Sequence, residues 1–190
     1  MKIGKGSYGY ISEQKRVRII RTILIFAACL AIFIIGLLLN GGSRSNIWSV
    51  IAAFMVVPGG MSVISVIMIF RVPKMPAAEY KEIRKHTEGL RVLYELYFTT
   101  YEKNMFIDAS IVCGEYIMCY TSTKPTAQDI SFMEKNIRKH VLSGGYKVTV
   151  KIFDSLDKFT ERADQLAEKQ DEYRMERDGE VAGILMAITL

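Results

Sequence analysis

The sequence predicts a two-helix transmembrane hairpin followed by a small cytoplasmic α/β domain, in the order α-(β)-β-β-α-β-α with one mixed sheet. Three observations predict it. Two long uncharged apolar runs lie within the first 70 of 190 residues. Cations crowd the outer ends of those runs, and beyond them helical and strand periodicities alternate. The organisation that follows is a basic cytoplasmic segment over 1–21, a hairpin over 22–70, a linker over 71–76 and an α/β domain over 77–190.

The first run, Thr22 to Leu39, has 18 uncharged residues, roughly 27 Å of helix and close to the minimum that spans a bilayer. The second, Ile47 to Phe70, has 24, roughly 36 Å, so it tilts or kinks. Pro58-Gly59-Gly60 supplies a place for a kink. Asn40 to Asn46 joins the runs with Gly, Ser and Asn, a turn composition suited to antiparallel helices. Neither run carries Asp, Glu, Lys, Arg or His, so no ion or proton path is indicated. The small pairs Ala27/Ala31 and Ser49/Ala53 permit close packing within the hairpin or between copies.

Lys2, Lys5, Lys15, Arg16, Arg18 and Arg21 precede the first run, and Arg71 and Lys74, then Lys81, Arg84 and Lys85, follow the second, while the intervening loop has Arg44 alone. Cations are retained on the cytoplasmic side, which places both termini there. A cleaved signal peptide is the competing reading of the first run, but its apolar stretch is longer than a signal core and Gly41/Ser43 is a poor cleavage site. The style of the chain fits a bacterial inner-membrane protein. Lys15, Arg16, Arg18, Arg21, Arg71 and Lys74 are the candidate residues at the membrane surface, where each cation near an anionic leaflet contributes about 1 kcal/mol.

The net charge of +5 divides unevenly: residues 1–70 carry +6 and residues 71–190 carry −1. The basic character therefore belongs to the apolar part, and a basic groove for nucleic acid is not expected. In the polar part a helix is predicted from about Ala77 into the region of Tyr97, from Ile83, Leu90, Leu93/Tyr94 and Tyr97 at helical spacing. Phe98–Tyr101, Met105–Val112 and Glu115–Thr121 read as strands, with Cys113-Gly114 turning a hairpin between the last two. Thr126-Ala127-Gln128-Asp129 has the form of a capping box for a helix ended by Gly144-Gly145. Tyr146 to Ile152 alternates strictly, with Val148, Val150 and Ile152 on one face. Asp154 or Ser155 caps a final helix whose stripe is Leu156, Phe159, Ala163, Leu166 and Tyr173, ending near Asp178-Gly179. Glu180 to Leu190, almost wholly apolar, adds a strand, packs as a helix or docks on a partner; packing within the domain is the expectation.

Chemistry is sparse. Gly4-Lys5-Gly6-Ser7-Tyr8-Gly9 has the glycine pattern of a phosphate-cradling loop without a preceding strand, and reads as a flexible tail. His86 and His140 stand far apart, and Cys29, Cys113 and Cys119 lack C-x-x-C spacing, so neither a metal nor another cofactor is called for and the cysteines read as reduced thiols. The succession of helix, three strands, helix and strand over residues 80–153 resembles the core of the restriction-endonuclease-like nucleases. That resemblance implies metal-binding carboxylates on adjacent strands, and Asp108 and Glu115 are the candidates. The family places Lys two positions after its second acid, where this chain has Ile117. The expected function is a membrane-tethered interaction or accessory module. Its partners are the lipid bilayer and another protein or its own copies. A membrane-bound enzyme and a self-assembling membrane component are the alternatives.

Overall fold

The computed structural model describes residues 3–43, 46–100, 102–168 and 178–190. The chain divides into a helical unit, Ile11–Val72, and a second unit made of Met1–Tyr10 with Pro73–Leu190.

The helical unit consists of α1 (Tyr10–Leu39) and α2 (Ile47–Phe70). Helix α1 begins well before the apolar run, so the basic stretch Lys15–Arg21 is helical and not a segment separate from it. The helices run antiparallel, and their contacts can be read rung by rung. Arg18 Nη1 donates to Ser65 Oγ at 3.0 Å, Thr22 Oγ1 lies 2.6 Å from Ser62 Oγ, and Cys29 Sγ donates to the Ala52 carbonyl at 3.2 Å. Gly59 lies under the Phe26 ring, where an added Cβ would come within 3.2 Å of its edge, and a Cβ on Gly36 would meet Trp48 at 2.4 Å. Close approach is thus the role of Gly59, and α2 is continuous through Pro58. The buried small residues are Gly36, Ala52 and Gly59, whereas Ala27, Ala31 and Ala53 face outward. Asn46 caps α2 by accepting the Ser49 N–H at 2.9 Å. Beyond this seam the apolar side chains are bare: Leu24, Leu38, Phe54, Val57 and Met61 are each more than 60% exposed. Both helices are long and apolar enough to cross a membrane.

The second unit is a four-stranded mixed sheet between two helical layers. Helix α3 (Ala77–His86) stops earlier than its spacing predicts, and Arg91–Thr99 forms strand β1 instead of continuing the helix. Gly89, at φ 80°, makes the turn between them, and β1 then pairs along its whole length with β2 (Asn104–Cys113). Apolar residues at spacings of three and four mimic a helix there, but the pairing with β2 uses both faces of a strand. Gly114, at φ 59°, turns β2 into β3 (Tyr116–Tyr120), as expected. Helix α4 (Ala127–Ser143) crosses over to β4 (Thr149–Phe153), which lies parallel to β3. The sheet order is β1-β2-β3-β4. Two more helices follow, α5 (Leu156–Glu168) and α6 (Asp178–Ala187). The predicted continuation of α5 toward Tyr173 lies outside the described residues.

One face of the sheet packs on α4 and α6 through Met133, Ile137, Val141, Val181, Ala182 and Leu185, with Val148, Val150 and Ile152 pointing toward them. The opposite face packs on α3 and α5 through Ile83, Phe159, Ala163 and Leu166. Between those helices His86 Nδ1 sits 2.9 Å from Asp164, and this bond holds the imidazole above its ordinary pKa. The apolar C-terminus packs within the domain: Asp178 accepts the Gly114 N–H at 3.0 Å, and the Leu190 N–H donates to the Tyr97 carbonyl at 2.9 Å.

The N-terminal glycine run is a correction to the expected flexible tail. Tyr94 N–H donates to the Gly6 carbonyl at 2.7 Å, and Tyr8 stacks on Tyr80 with ring centres 4.0 Å apart. Gly6, at φ 82°, lies so close to Leu93 that a Cβ would meet its Cδ2 at 3.0 Å.

Helix α4 carries the predicted capping box, with Thr126 Oγ1 accepting the Asp129 N–H at 3.3 Å and Asp129 accepting the Thr126 N–H at 3.2 Å. Thr126→Ala removes one half of it and is expected to destabilise the protein by about 1 kcal/mol in denaturant titration. Thr126→Ser should restore most of that loss.

Candidate functional site

The most unusual chemistry of the α/β unit lies at one rung of its sheet. The register pairs Tyr94 with Ala109 and Leu96 with Ile107, which sets Glu95 opposite Asp108. On β1, Leu93 shares a core with Leu96 and Phe98. On β2, Met105 and Ile107 belong to that same core, but Ala109, Ile111 and Cys113 belong to the other. A regular strand keeps residues two apart on one face, so both strands change phase at this rung. Glu95 supplies the local cause, for its φ is 52°, the left-handed region that side chains other than glycine adopt at some cost.

Both acids at the rung are buried, Glu95 at 3% exposure and Asp108 at 0%. Glu95 Oε1 accepts the N–H of Met75 at 3.3 Å, tying the segment before α3 to the sheet. Asp108 Oδ2 accepts the Ser122 N–H at 2.6 Å, while its Oδ1 is buried without a hydrogen bond. Glu79 of α3 contributes a third carboxylate, whose Oε2 is also buried without a partner. Burial pushes the Asp108 carboxyl up to about 6, with the charges of Glu79 and Glu95 adding to it against the pull of the Ser122 N–H. Burial, reinforced by Glu79, likewise raises the Tyr120 phenol and keeps it protonated. An acidic group with a raised pKa beside two further carboxylates and a neutral phenol can hold and release a proton near neutral pH. Among the described residues, no three His, Cys, Asp or Glu side chains gather closely enough to hold a metal ion.

The predicted carboxylate pair is not brought together. Ala109 pairs with Tyr120 and Cys113 with Tyr116, so Asp108 lies at one end of the hairpin and Glu115 at its turn. Roughly 17 Å of strand separates them. Glu115 is exposed beside Arg138 and Lys147. Ile117, standing where the resembled family has Lys, is fully buried in the core toward α4. Asp108 meets Glu95 and Glu79 instead. A sequence signal for Glu95 did exist: it is the one charge within Val92-Leu93-Tyr94-Glu95-Leu96-Tyr97-Phe98.

The basic candidates divide by role. Lys15 Nζ donates to the Val72 carbonyl at 2.8 Å and lies 5.7 Å from the centre of the Phe70 ring, and Arg18 bonds Ser65 as described. Both are therefore part of the helical seam. Arg16, Arg21, Arg71 and Lys74 are exposed. Cys113 and Cys119 are buried on opposite faces of the sheet, and burial pushes the Cys119 thiol up to about 12. No protein-family model, curated protein or solved structure matches this chain.

The buried acid fixes the sign of a pH effect. The ordinary value for Asp108 is 3.8 and its value in the folded protein is about 6, so folding takes up a proton between them. Its contribution to stability is full below the lower value, falls as pH rises to the upper one and then levels off. Asp108→Asn keeps an acceptor for Ser122 and removes the ionisation. It is expected to stabilise the protein at pH 7 by on the order of 1–3 kcal/mol, with the difference vanishing below pH ~4, where wild-type Asp108 is itself protonated. Denaturation midpoints of both proteins across a pH series check this, and a less stable variant at pH 7 would refute it.

Proposed function

We propose that the protein is a membrane-tethered interaction module, in which α1 and α2 cross the bilayer as a hairpin and hold the α/β unit at the cytoplasmic surface. The observation that carries this reading is the way the chain enters and leaves the helical pair. Residues before α1 and residues after α2 both belong to the same α/β unit: Gly6 and Tyr8 bind β1 and α3, and Met75 binds Glu95 of β1. Two helices whose outer ends continue into one folded unit have those ends on one side of a membrane. The excess of cations at those ends, against Arg44 alone in the short loop, favours the cytoplasm for that side.

The partner in this reading is another protein or a second copy of the chain. Confinement near the bilayer raises the effective concentration of the α/β unit toward neighbours in the same membrane. The hydrolytic alternative rests on Asp108 and Glu115, which lie at opposite ends of the hairpin.

Two measurements test the proposal. A cysteine placed at Gly42 should react with a membrane-impermeant thiol reagent added outside intact cells, and one placed at Glu115 should react only after the membrane is opened. The opposite pattern overturns the orientation. Mass determination of the gently extracted full-length protein is expected to show a stoichiometric second protein or a defined homo-oligomer, and a lone monomer would overturn the interaction reading.

A further inference from the structure

An open cleft of about 890 Å³ lies between the N-terminal loop, α3 and the start of β1, a size within the range of small-molecule sites. One wall is a tier of three tyrosines. Tyr8 stacks on Tyr80 with an interplanar angle of 11°, and Tyr94 meets Tyr80 at 73° with ring centres 5.1 Å apart. The tier is held in place from below, because Tyr94 N–H donates to Gly6, two residues from Tyr8. The other wall is cationic: Lys81, Arg84 and Lys85 line the cleft against the single carboxylate of Glu88.

Simple structural explanations cover only part of this charge. Lys85 is paired with Glu82 at 2.7 Å, and a cation in the last turn of a helix offsets its dipole, which accounts for Arg84. Lys81 lies in the middle of α3, where the dipole gives it no role. Neither Lys81 nor Arg84 is ion-paired with a described carboxylate. Cations collect after the end of α2 on the cytoplasmic side, but that preference does not require two of them to line one cleft, and residues 71–190 as a whole carry a net charge of −1. Two such cations at i and i+3 lie on one side of a helix. Beside them the fixed tyrosine wall offers hydroxyl groups and flat apolar surface to the body of a ligand.

We propose that this cleft binds a phosphate ester, with Lys81 and Arg84 holding the phosphate by charge-assisted hydrogen bonds and the Tyr8–Tyr80–Tyr94 wall receiving the organic part. Two sources share that chemistry, a soluble nucleoside phosphate and the headgroup of an anionic phospholipid. The site is independent of the interaction reading above and stands whether or not a protein partner exists.

The test uses the full chain in phosphatidylcholine nanodiscs, titrated calorimetrically with inorganic phosphate and with adenosine and guanosine mono- and triphosphates. A second preparation contains phosphatidic acid, and native mass spectrometry counts the lipid retained after transfer to neutral detergent. Lys81→Ala/Arg84→Ala alters two exposed side chains and should leave the melting temperature unchanged. Arg16→Ala/Arg21→Ala serves as the control for non-specific attraction of lipid. The expected result is binding of one of the two probe classes that the Lys81/Arg84 double variant weakens at least about tenfold, the effect of losing one charge-assisted bond. Tyr8→Ala should weaken it as well, and Lys81→Arg/Arg84→Lys should restore it. Saturable binding of a nucleoside phosphate assigns the soluble source, and phosphatidic acid retained by wild type and the Arg16/Arg21 control but lost from the Lys81/Arg84 variant assigns the lipid. Binding of neither class, or binding that the Lys81/Arg84 variant leaves unchanged, overturns the proposal.

Discussion

Glu95 and Asp108 face one another where β1 and β2 change phase, and which side chains of those two strands enter which of the domain's two cores depends on that rung. Before it on β1, Val92 and Tyr94 pack toward α3 and α5; beyond it, Leu96 and Phe98 pack toward α4 and α6. An uninterrupted period of two would place Leu96 and Phe98 on the same face as Tyr94. Large side chains would then leave the core of α4 and α6, with gaps of a size that costs several kcal/mol. The left-handed φ at Glu95 produces the shift, at an expense of about 1–2 kcal/mol for a residue with a Cβ. Glycine would adopt that φ without strain, yet it could not accept the Met75 N–H. A carboxylate at this position therefore couples two tasks, the phase of the sheet and the anchoring of the segment that leads into α3.

The helical pair is held by contacts of a different kind. Its seam uses few contacts, and they are polar or very close: Arg18 on Ser65, Thr22 on Ser62, Phe26 over Gly59. Such contacts remain favourable where no water competes for them, whereas the bare Leu, Ile, Val and Phe surface around them is far larger than a soluble protein tolerates. Tyr8, before the pair, stacks on Tyr80, and Met75, after it, donates its N–H to Glu95, both contacts lying within the α/β unit.

How much of this was legible in the sequence varied with the range of the interactions involved. The apolar runs, the Asn46 region as a turn, the Thr126–Asp129 box and the alternation of Val148, Val150 and Ile152 depend on neighbours within a few residues, and those appear in the structure. Strand β1 did not, because Leu90, Leu93, Tyr94 and Tyr97 satisfy helical spacing as well as a strand with a phase change does. Pairing with β2 decided between the two, and pairing is not a local property. The candidate site failed for a related reason. Asp108 stands out in the sequence, and the hairpin offers Glu115 as its companion, whereas the chain delivers Glu95 from the other neighbouring strand and Glu79 from a helix. The glycine run over Gly4–Gly9 has no flanking strand in the sequence, and β1, some 85 residues further along, supplies one through Tyr94.

Asp108 also shows what the interior does with a carboxylate that is given no cation. A buried charge without a paired cation is disfavoured by several kcal/mol, and the group responds by keeping its proton to a higher pH than it would in water, which is what a value near 6 expresses. Glu79 and Glu95 make the ionisation of Asp108 harder still. The consequence is an interior site whose charge changes close to neutral pH, on the strand pair that divides the two cores. Glu95 binds the segment from which α3 starts, and a change of charge at Asp108 alters the field at the Glu95 carboxylate.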